Sequence, residues 1–239
     1  MKIKICGITR FEDVSKCEAS GANLIGYINI KRSKRFIKTM RIKELVSKMR
    51  NRDNAVIVLE PENPGEAVMK MKKTGIRNVQ LHSLTSNEIK YLRWIESFHR
   101  NALESNINII RAVGLSEESL NSVKGSEFVL SKNKKEEIES FAKTCDAILF
   151  DYQINGKTGG TGGQIPIKIV LDAVEIAKSS NHSVEIFLAG GLNSEKILKK
   201  KDILKKVIDY VDVNSGVESA PGIKNPDQVD NLMKIRALI

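Results

Sequence analysis

A thiol, a carboxylate and a guanidinium each stand in this sequence just beyond a short apolar run. Cys6 closes KIKIC, Asp151 follows AILF, and Arg35 lies in the basic loop KRSKR beyond NLIGYI. A thiol at a strand end becomes a base once its pKa falls from about 8.5. A carboxylic acid facing it across one cavity would complete an acid and base pair, and the planar fork of an arginine suits a carboxylate. Glycines mark two further run ends, Gly190-Gly191 after VEIFLA and Ser215-Gly216 after YVDVN. Such turns let backbone N–H groups approach an anion, and a following helix N-terminus adds a favourable dipole, so together they read as a phosphate cradle. Each feature also has a plainer reading. Free cysteine packs as a small hydrophobe, Asp151 would cap the glycine-rich NGKTGGTGG, Arg35 is one of four cations in its loop, and paired glycines make ordinary turns. His82 ends NVQLH and faces either the mouth or a backbone partner, whereas His99 and His182 fall in contexts typical of a surface. No second histidine or carboxylate occupies a matching run end, so no metal site is expected.

The elements that must position these groups are eight apolar, Ile/Val-rich runs, ending at Cys6, Ile28, Leu59, His82, Val113, Phe150, Ala189 and Asn214. They are short and continuous rather than alternating, which marks buried parallel strands. Helix start signals separate them. Thr9 with Glu12 and Thr85 with Glu88 have capping-box spacing, and Asn63-Pro64 and Asn225-Pro226 put a cap before a proline that needs no N–H. Val170, Ala173, Val174 and Ala177 recur on one helical face. Eight units of about thirty residues predict a single (β/α)₈ TIM barrel over residues 1–239, with its active site at the C-terminal strand ends. Ser116 to Lys135 is long for a βα loop and predicts an extra helical turn or a loop over the mouth. Lys196 to Lys206 reads as a solvated helix face that keeps Ile197 and Leu204 on its inner side.

Composition narrows the class. The chain has 239 residues, 39 Lys+Arg against 29 Asp+Glu, and a net charge of +10. No apolar run approaches the roughly eighteen residues of a membrane span, and MKIKICGITR is no secretory signal, so a cytoplasmic protein is expected. Three cysteines without metal-ligand spacing argue against a disulfide or zinc framework. The positive charge is compatible with nucleic acid, a membrane surface or a small anionic substrate.

These residues fall into motifs that resemble the phosphoribosylanthranilate isomerases of tryptophan biosynthesis. The motifs are KICGIT at Lys4–Thr9, Ser33-Lys34-Arg35-Phe36, VQLH at Val79–His82, GGTG at Gly159–Gly162, LAGGLN at Leu188–Asn193, and DVNSGVE at Asp212–Glu218 followed by PGIK. The resemblance implies a cofactor-independent Amadori rearrangement of a small phosphosugar, with no metal. It assigns Asp151 as general acid and Cys6 as general base, and gives Arg35 the anthranilate carboxylate. The turns at Gly190, Gly191, Ser215 and Gly216 would take the phosphate. Asp212 would orient the substrate; His82, from its place at a strand end, is read as a structural or substrate-contact residue. The chain departs from the common pattern at VIVLEPEN after the third run, at Ser83, and at Gln164-Ile165-Pro166 beyond GGTG, positions that bear on packing around the anthranilate ring. Monomer and homodimer both stay open.

Three other readings compete. The histidine-pathway ribonucleotide isomerase uses carboxylates for both acid and base, which Cys6 argues against. A metal-dependent ribulose-phosphate epimerase needs histidines where Ile28-Asn29 and Leu59-Glu60 stand. A non-catalytic RNA binder would bind with steep salt dependence; the chain lacks the interleaved aromatics that stack bases, and neither nucleic acid nor membrane is an expected partner.

Overall fold

The eight runs form eight parallel strands: β1 (Lys2–Ile5), β2 (Leu24–Ile28), β3 (Ala55–Leu59), β4 (Asn78–Leu81), β5 (Asn108–Leu115), β6 (Ala147–Ile154), β7 (Glu185–Leu188) and β8 (Tyr210–Val213). Each pairs with the next, β6 pairs with β7 in register from Glu185↔Ala147 to Leu188↔Phe150, and β8 pairs with β1, so the sheet closes on itself. The computed structural model describes residues 1–98, 107–116, 120–123, 127–154, 157–158 and 167–238. GGTG at Gly159–Gly162, Gln164-Ile165-Pro166 and His99 lie outside the described residues.

Closure follows from the strand period of two, which sends alternate side chains inward and outward. Leu24, Val56, Ile110, Ala112, Ala147, Leu149, Phe187 and Tyr210 pack together inside the barrel. The alternate residues, such as Ile3, Ile25, Ile57 and Ile186, join the larger core under the helices. Those helices are α1 (Phe11–Ala19), α2 (Thr39–Ser47), α3 (Pro64–Thr74), α4 (Ser86–Phe98), α5 (Lys132–Ala142), α6 (Ile167–Ser180), α7 (Ser194–Lys199), α8 (Lys201–Val207) and α9 (Pro226–Ile235). Among the described residues no helix is long and apolar enough to cross a membrane.

Most start signals act as read. Glu88 N–H donates to Thr85 Oγ1 at 3.3 Å while Thr85 N–H donates to Glu88 Oε2 at 2.7 Å, a reciprocal capping box. Asn63 Oδ1 accepts from Glu66 N–H, and Asn225 Oδ1 accepts from Asp227 and Gln228 N–H. Val170, Ala173, Val174 and Ala177 are the buried face of α6.

The Thr9–Glu12 box does not form. α1 starts one residue later, with Arg10 as its uncapped N-cap, and the Thr9 hydroxyl instead donates to Gly222 O at 2.6 Å. The segment after β5 holds no extra helical turn before α5 among its described residues. Its described parts are an antiparallel pair, Leu120–Val123 with Glu127–Leu130, leading into α5; two short Leu/Val/Phe-containing runs flanking a glycine favour a hairpin over a helical turn. The lysine-rich stretch is two short helices meeting at Lys200 rather than one, with Ile197 and Leu204 buried.

Candidate active site

Because all eight strands run the same way, their C-terminal ends meet at one mouth, which holds a cavity of about 450 Å³. The period of two again decides what faces it. Gln80 and His82, Leu149 and Asp151, and Asp212 and Asn214 enter as i, i+2 pairs from β4, β6 and β8. Cys6 enters at the end of β1. Cys6, Arg35, His82, Asp151, Gly190, Gly191, Asp212 and Ser215 all line this cavity. Gly216 does not: a Cβ there would lie 1.8 Å from Leu192 O, so its bare Cα lets the turns after β7 and β8 abut.

Beneath the cavity lies Lys4, with 0% exposure. Its ammonium donates to Asp212 Oδ2 at 2.8 Å and to Gln80 Oε1 at 2.9 Å. Burial alone would lower the Lys4 pKa, but the Asp212 carboxylate and the Cys6 thiol outweigh it and the net shift is upward. Asp212 Oδ1 is buried without a hydrogen-bond partner among the described residues. Cys6 differs from expectation: burial pushes the thiol up, and the nearby Lys4 and Lys224 charges pull it back only in part. The sequence offered no view of how completely the barrel wall would remove water from this thiol.

Arg35 is held by a carboxylate of the protein itself. Its Nε and Nη2 donate to Glu218 at 2.5–3.1 Å, which leaves Nη1 without a partner among the described residues. Lys224 Nζ donates to Glu218 Oε1 at 3.0 Å, and to Asn214 O and Oδ1 at 3.0 and 3.1 Å. Burial would raise the Glu218 carboxyl, yet Arg35 and Lys224 hold it below the usual carboxylate range. Gly7 is needed here twice over. Its φ is +77°, and a Cβ would meet Asn214 Oδ1 at 2.5 Å and Arg35 Cδ at 3.1 Å.

Gly190 and Gly191 adopt positive φ of 102° and 59°, a backbone that glycine enters without steric cost. Lys196 Nζ donates to Gly191 O at 2.8 Å and fixes the turn. His82 sits on the cavity wall with Nε2 2.8 Å from Gln80 Nε2. Burial first, then the charges of Arg111 and Lys4, hold its ring down at about 3. Among the described residues no three His, Cys, Asp or Glu side chains converge as a metal site would require.

Sequence reading missed Lys4, Gln80, Glu218 and Lys224. The signal for the first two is a polar residue inside an apolar strand run, two positions before a candidate that faces the mouth. Glu218 and Lys224 stood inside the SGVE and PGIK motifs without an assigned task.

The family described as N-(5'phosphoribosyl)anthranilate (PRA) isomerase matches residues 3–235. The N-(5'-phosphoribosyl)anthranilate isomerase of Methanothermobacter thermautotrophicus is 32% identical over 232 residues, covering 97% of this chain and 87% of that relative. Its counterpart from Methanothermobacter marburgensis is 32% identical over 98% of this chain and 93% of its own length. Among solved structures, phosphoribosyl anthranilate isomerase from Thermotoga maritima superposes with a TM-score of 0.77 at 23% identity, covering 100% of both chains. Another, bound to reduced 1-(o-carboxyphenylamino)-1-deoxyribulose 5-phosphate, gives 0.73 at 24% identity, also covering 100% of both. At that identity the structures establish the shared TIM-barrel fold, while the sequence matches establish kinship: the chain belongs to the N-(5'-phosphoribosyl)anthranilate isomerase family of tryptophan biosynthesis.

Proposed function

We propose that this isomerase converts N-(5'-phosphoribosyl)anthranilate into 1-(2-carboxyphenylamino)-1-deoxyribulose 5-phosphate by an Amadori rearrangement in which Asp151 is the general acid and Cys6 the general base. The observation that carries this reading is the shared cavity: thiol, carboxyl, guanidinium and glycine turns line one space of about 450 Å³. Asp151 gives its proton to the ribose ring oxygen as the C1′–O bond breaks, and the anilino nitrogen's lone pair forms the protonated Schiff base. That cation acidifies C2′–H. Cys6 as thiolate takes this proton, the C–H electrons become the C1′=C2′ bond, and the iminium electrons return to nitrogen. The enolamine then moves its hydroxyl proton to C1′ and becomes the ketone. The substrate takes one proton from Asp151 and gives one to Cys6, solvent exchange returns the proton from the thiol to the carboxylate, and no electrons leave the substrate, so the sequence of steps calls for no redox cofactor.

The remaining groups have physical tasks. Lys4 opposes the burial that disfavours the Cys6 thiolate. The free edge of Arg35 holds the anthranilate carboxylate, its other edge being fixed by Glu218. Backbone N–H groups at Gly190, Gly191 and Ser215 take the phosphate, with Gly216 allowing their turns to meet. The orphan Asp212 Oδ1 accepts from a substrate N–H or O–H. All of these groups come from one chain.

The test follows the fluorescence of freshly generated phosphoribosylanthranilate with EDTA present. Rapid enzyme-dependent loss supports the reading. No loss with folded protein would mean that the cavity serves another phosphorylated substrate, and the histidine-pathway isomerase reaction would be assayed next.

A further inference from the structure

Under the cavity runs a hydrogen-bonded chain whose directions follow from the chemistry of its donors and acceptors. Lys4 Nζ lies 2.9 Å from Gln80 Oε1, and the other end of the same amide puts Nε2 2.8 Å from His82 Nε2. An ammonium only donates, so the amide atom facing Lys4 is the oxygen. The amide nitrogen therefore faces His82, and it too only donates. His82 Nε2 must be the acceptor, bare of a proton, and the neutral ring then carries its hydrogen on Nδ1. We propose that Lys4 and Gln80 are positioning residues that lock His82 as a neutral imidazole with its hydrogen on Nδ1. In that state the Nε2 lone pair is occupied by the Gln80 amide, so His82 cannot act as a base through Nε2.

The surroundings agree with a ring that stays uncharged. Lys4 on β1, Arg111 on β5 and Arg32 beyond β2 disfavour an imidazolium, while Glu60 beyond β3 pulls the other way. Cys6, Asp151 and Asp212 line the same cavity. Lys4 keeps its proton because Asp212 Oδ2, 2.8 Å away, pairs with it. Gln80 thus passes the fixed polarity of a buried ammonium to a ring on the cavity wall. A glutamine in either amide orientation could reach His82; only Lys4 decides which.

The bearing on catalysis rests on the proposed isomerase reaction, but the tautomer does not, and the experiment separates them. ¹⁵N-histidine spectra at neutral pH distinguish a protonated ring nitrogen from a bare one, and the His82 signals are those lost in His82→Gln. The expected spectrum has His82 neutral with the proton on Nδ1. In Gln80→Glu a carboxylate of the same shape can only accept. The ring proton should then move to Nε2, and the ring should titrate at or above an ordinary histidine's value of about 6.5. The pH profile of kcat/KM in that variant should gain a limb in the same range. Should Gln80→Glu fail to fold, Gln80→Met removes the donor without adding charge, and a mixture of the two neutral tautomers is expected. Wild-type His82 with its proton on Nε2, or as an imidazolium, overturns the proposal. So does an unchanged tautomer and titration in the Gln80 variants. An inactive wild type with the expected tautomer would instead remove the isomerase reading and leave the lock standing.

Discussion

The two ends of the barrel interior are built on the same strands, yet their chemistry is opposite. At the lower end Leu24, Val56, Ile110, Phe187 and Tyr210 make an apolar plug in which the Phe187 and Tyr210 rings stack with centroids 4.1 Å apart. One step of two residues takes Tyr210 to Asp212 and Leu149 to Asp151, and the same step carries Lys4 to Cys6. The lower end contributes stability through burial, roughly 25 cal/mol per Å² of apolar surface. The upper end spends some of it: Lys4 with Asp212, and Lys224 with Glu218 beside a half-buried Arg35, are ionic groups whose desolvation offsets much of their attraction. Strand alternation lets one sequence element serve both ends without either intruding on the other.

That division can be broken by substitution. Asp151→Asn should lower kcat by about 10²- to 10⁴-fold, the range for losing a general acid, with little movement of the urea midpoint; near-normal turnover would take Asp151 out of the mechanism. Phe187→Ala should do the reverse. Losing this ring from the plug should cost about 3–5 kcal/mol of stability by denaturant titration while the folded fraction keeps its kcat. Lys4→Met, where the two ends meet, should fail on both counts: breaking a buried pair costs about 3–5 kcal/mol, and turnover should also fall because Cys6 loses the cation that most favours its thiolate. Retained turnover in a folded Lys4→Met would return Lys4 to a purely structural role.

Smaller effects sharpen the picture. Arg35→Ala should chiefly raise KM, since a carboxylate clamp holds ground and transition states alike; an unchanged KM would leave Arg35 only its link to Glu218. The pH dependence of stability carries a His82 signature. The ring is held down at about 3 in the fold, whereas in the unfolded chain it titrates near about 6.5. The unfolded state therefore binds the proton first as pH falls. The stabilising contribution is full above about 6.5 and drains away between there and about 3. Urea midpoints at about pH 7.5 and about pH 5 should converge in His82→Gln relative to wild type.

What could be read from the sequence was what lies close together along it. The strand runs, the Asn63 and Asn225 caps and the groups at the strand ends are each set by a few consecutive residues. What could not be read depends on distant partners. Lys4 looks like an odd charge in KIKIC until β4 and β8, 76 and 208 residues away, bring Gln80 and Asp212 to it. Arg35 meets Glu218 across 183 residues. Thr9 fails as a helix cap because Gly222, 213 residues on, claims its hydroxyl. The raised pKa of Cys6 belongs to the same group, since burial by the closed barrel is a property of all eight strands together.

The most direct test of the claim that the upper end does the chemistry is the turnover of Cys6→Ser beside wild type, both checked as folded by the same urea titration. The account predicts a fall of at least about 100-fold in kcat with the midpoint nearly unmoved. Turnover near the wild-type value would contradict it and require another group to take the C2′ proton.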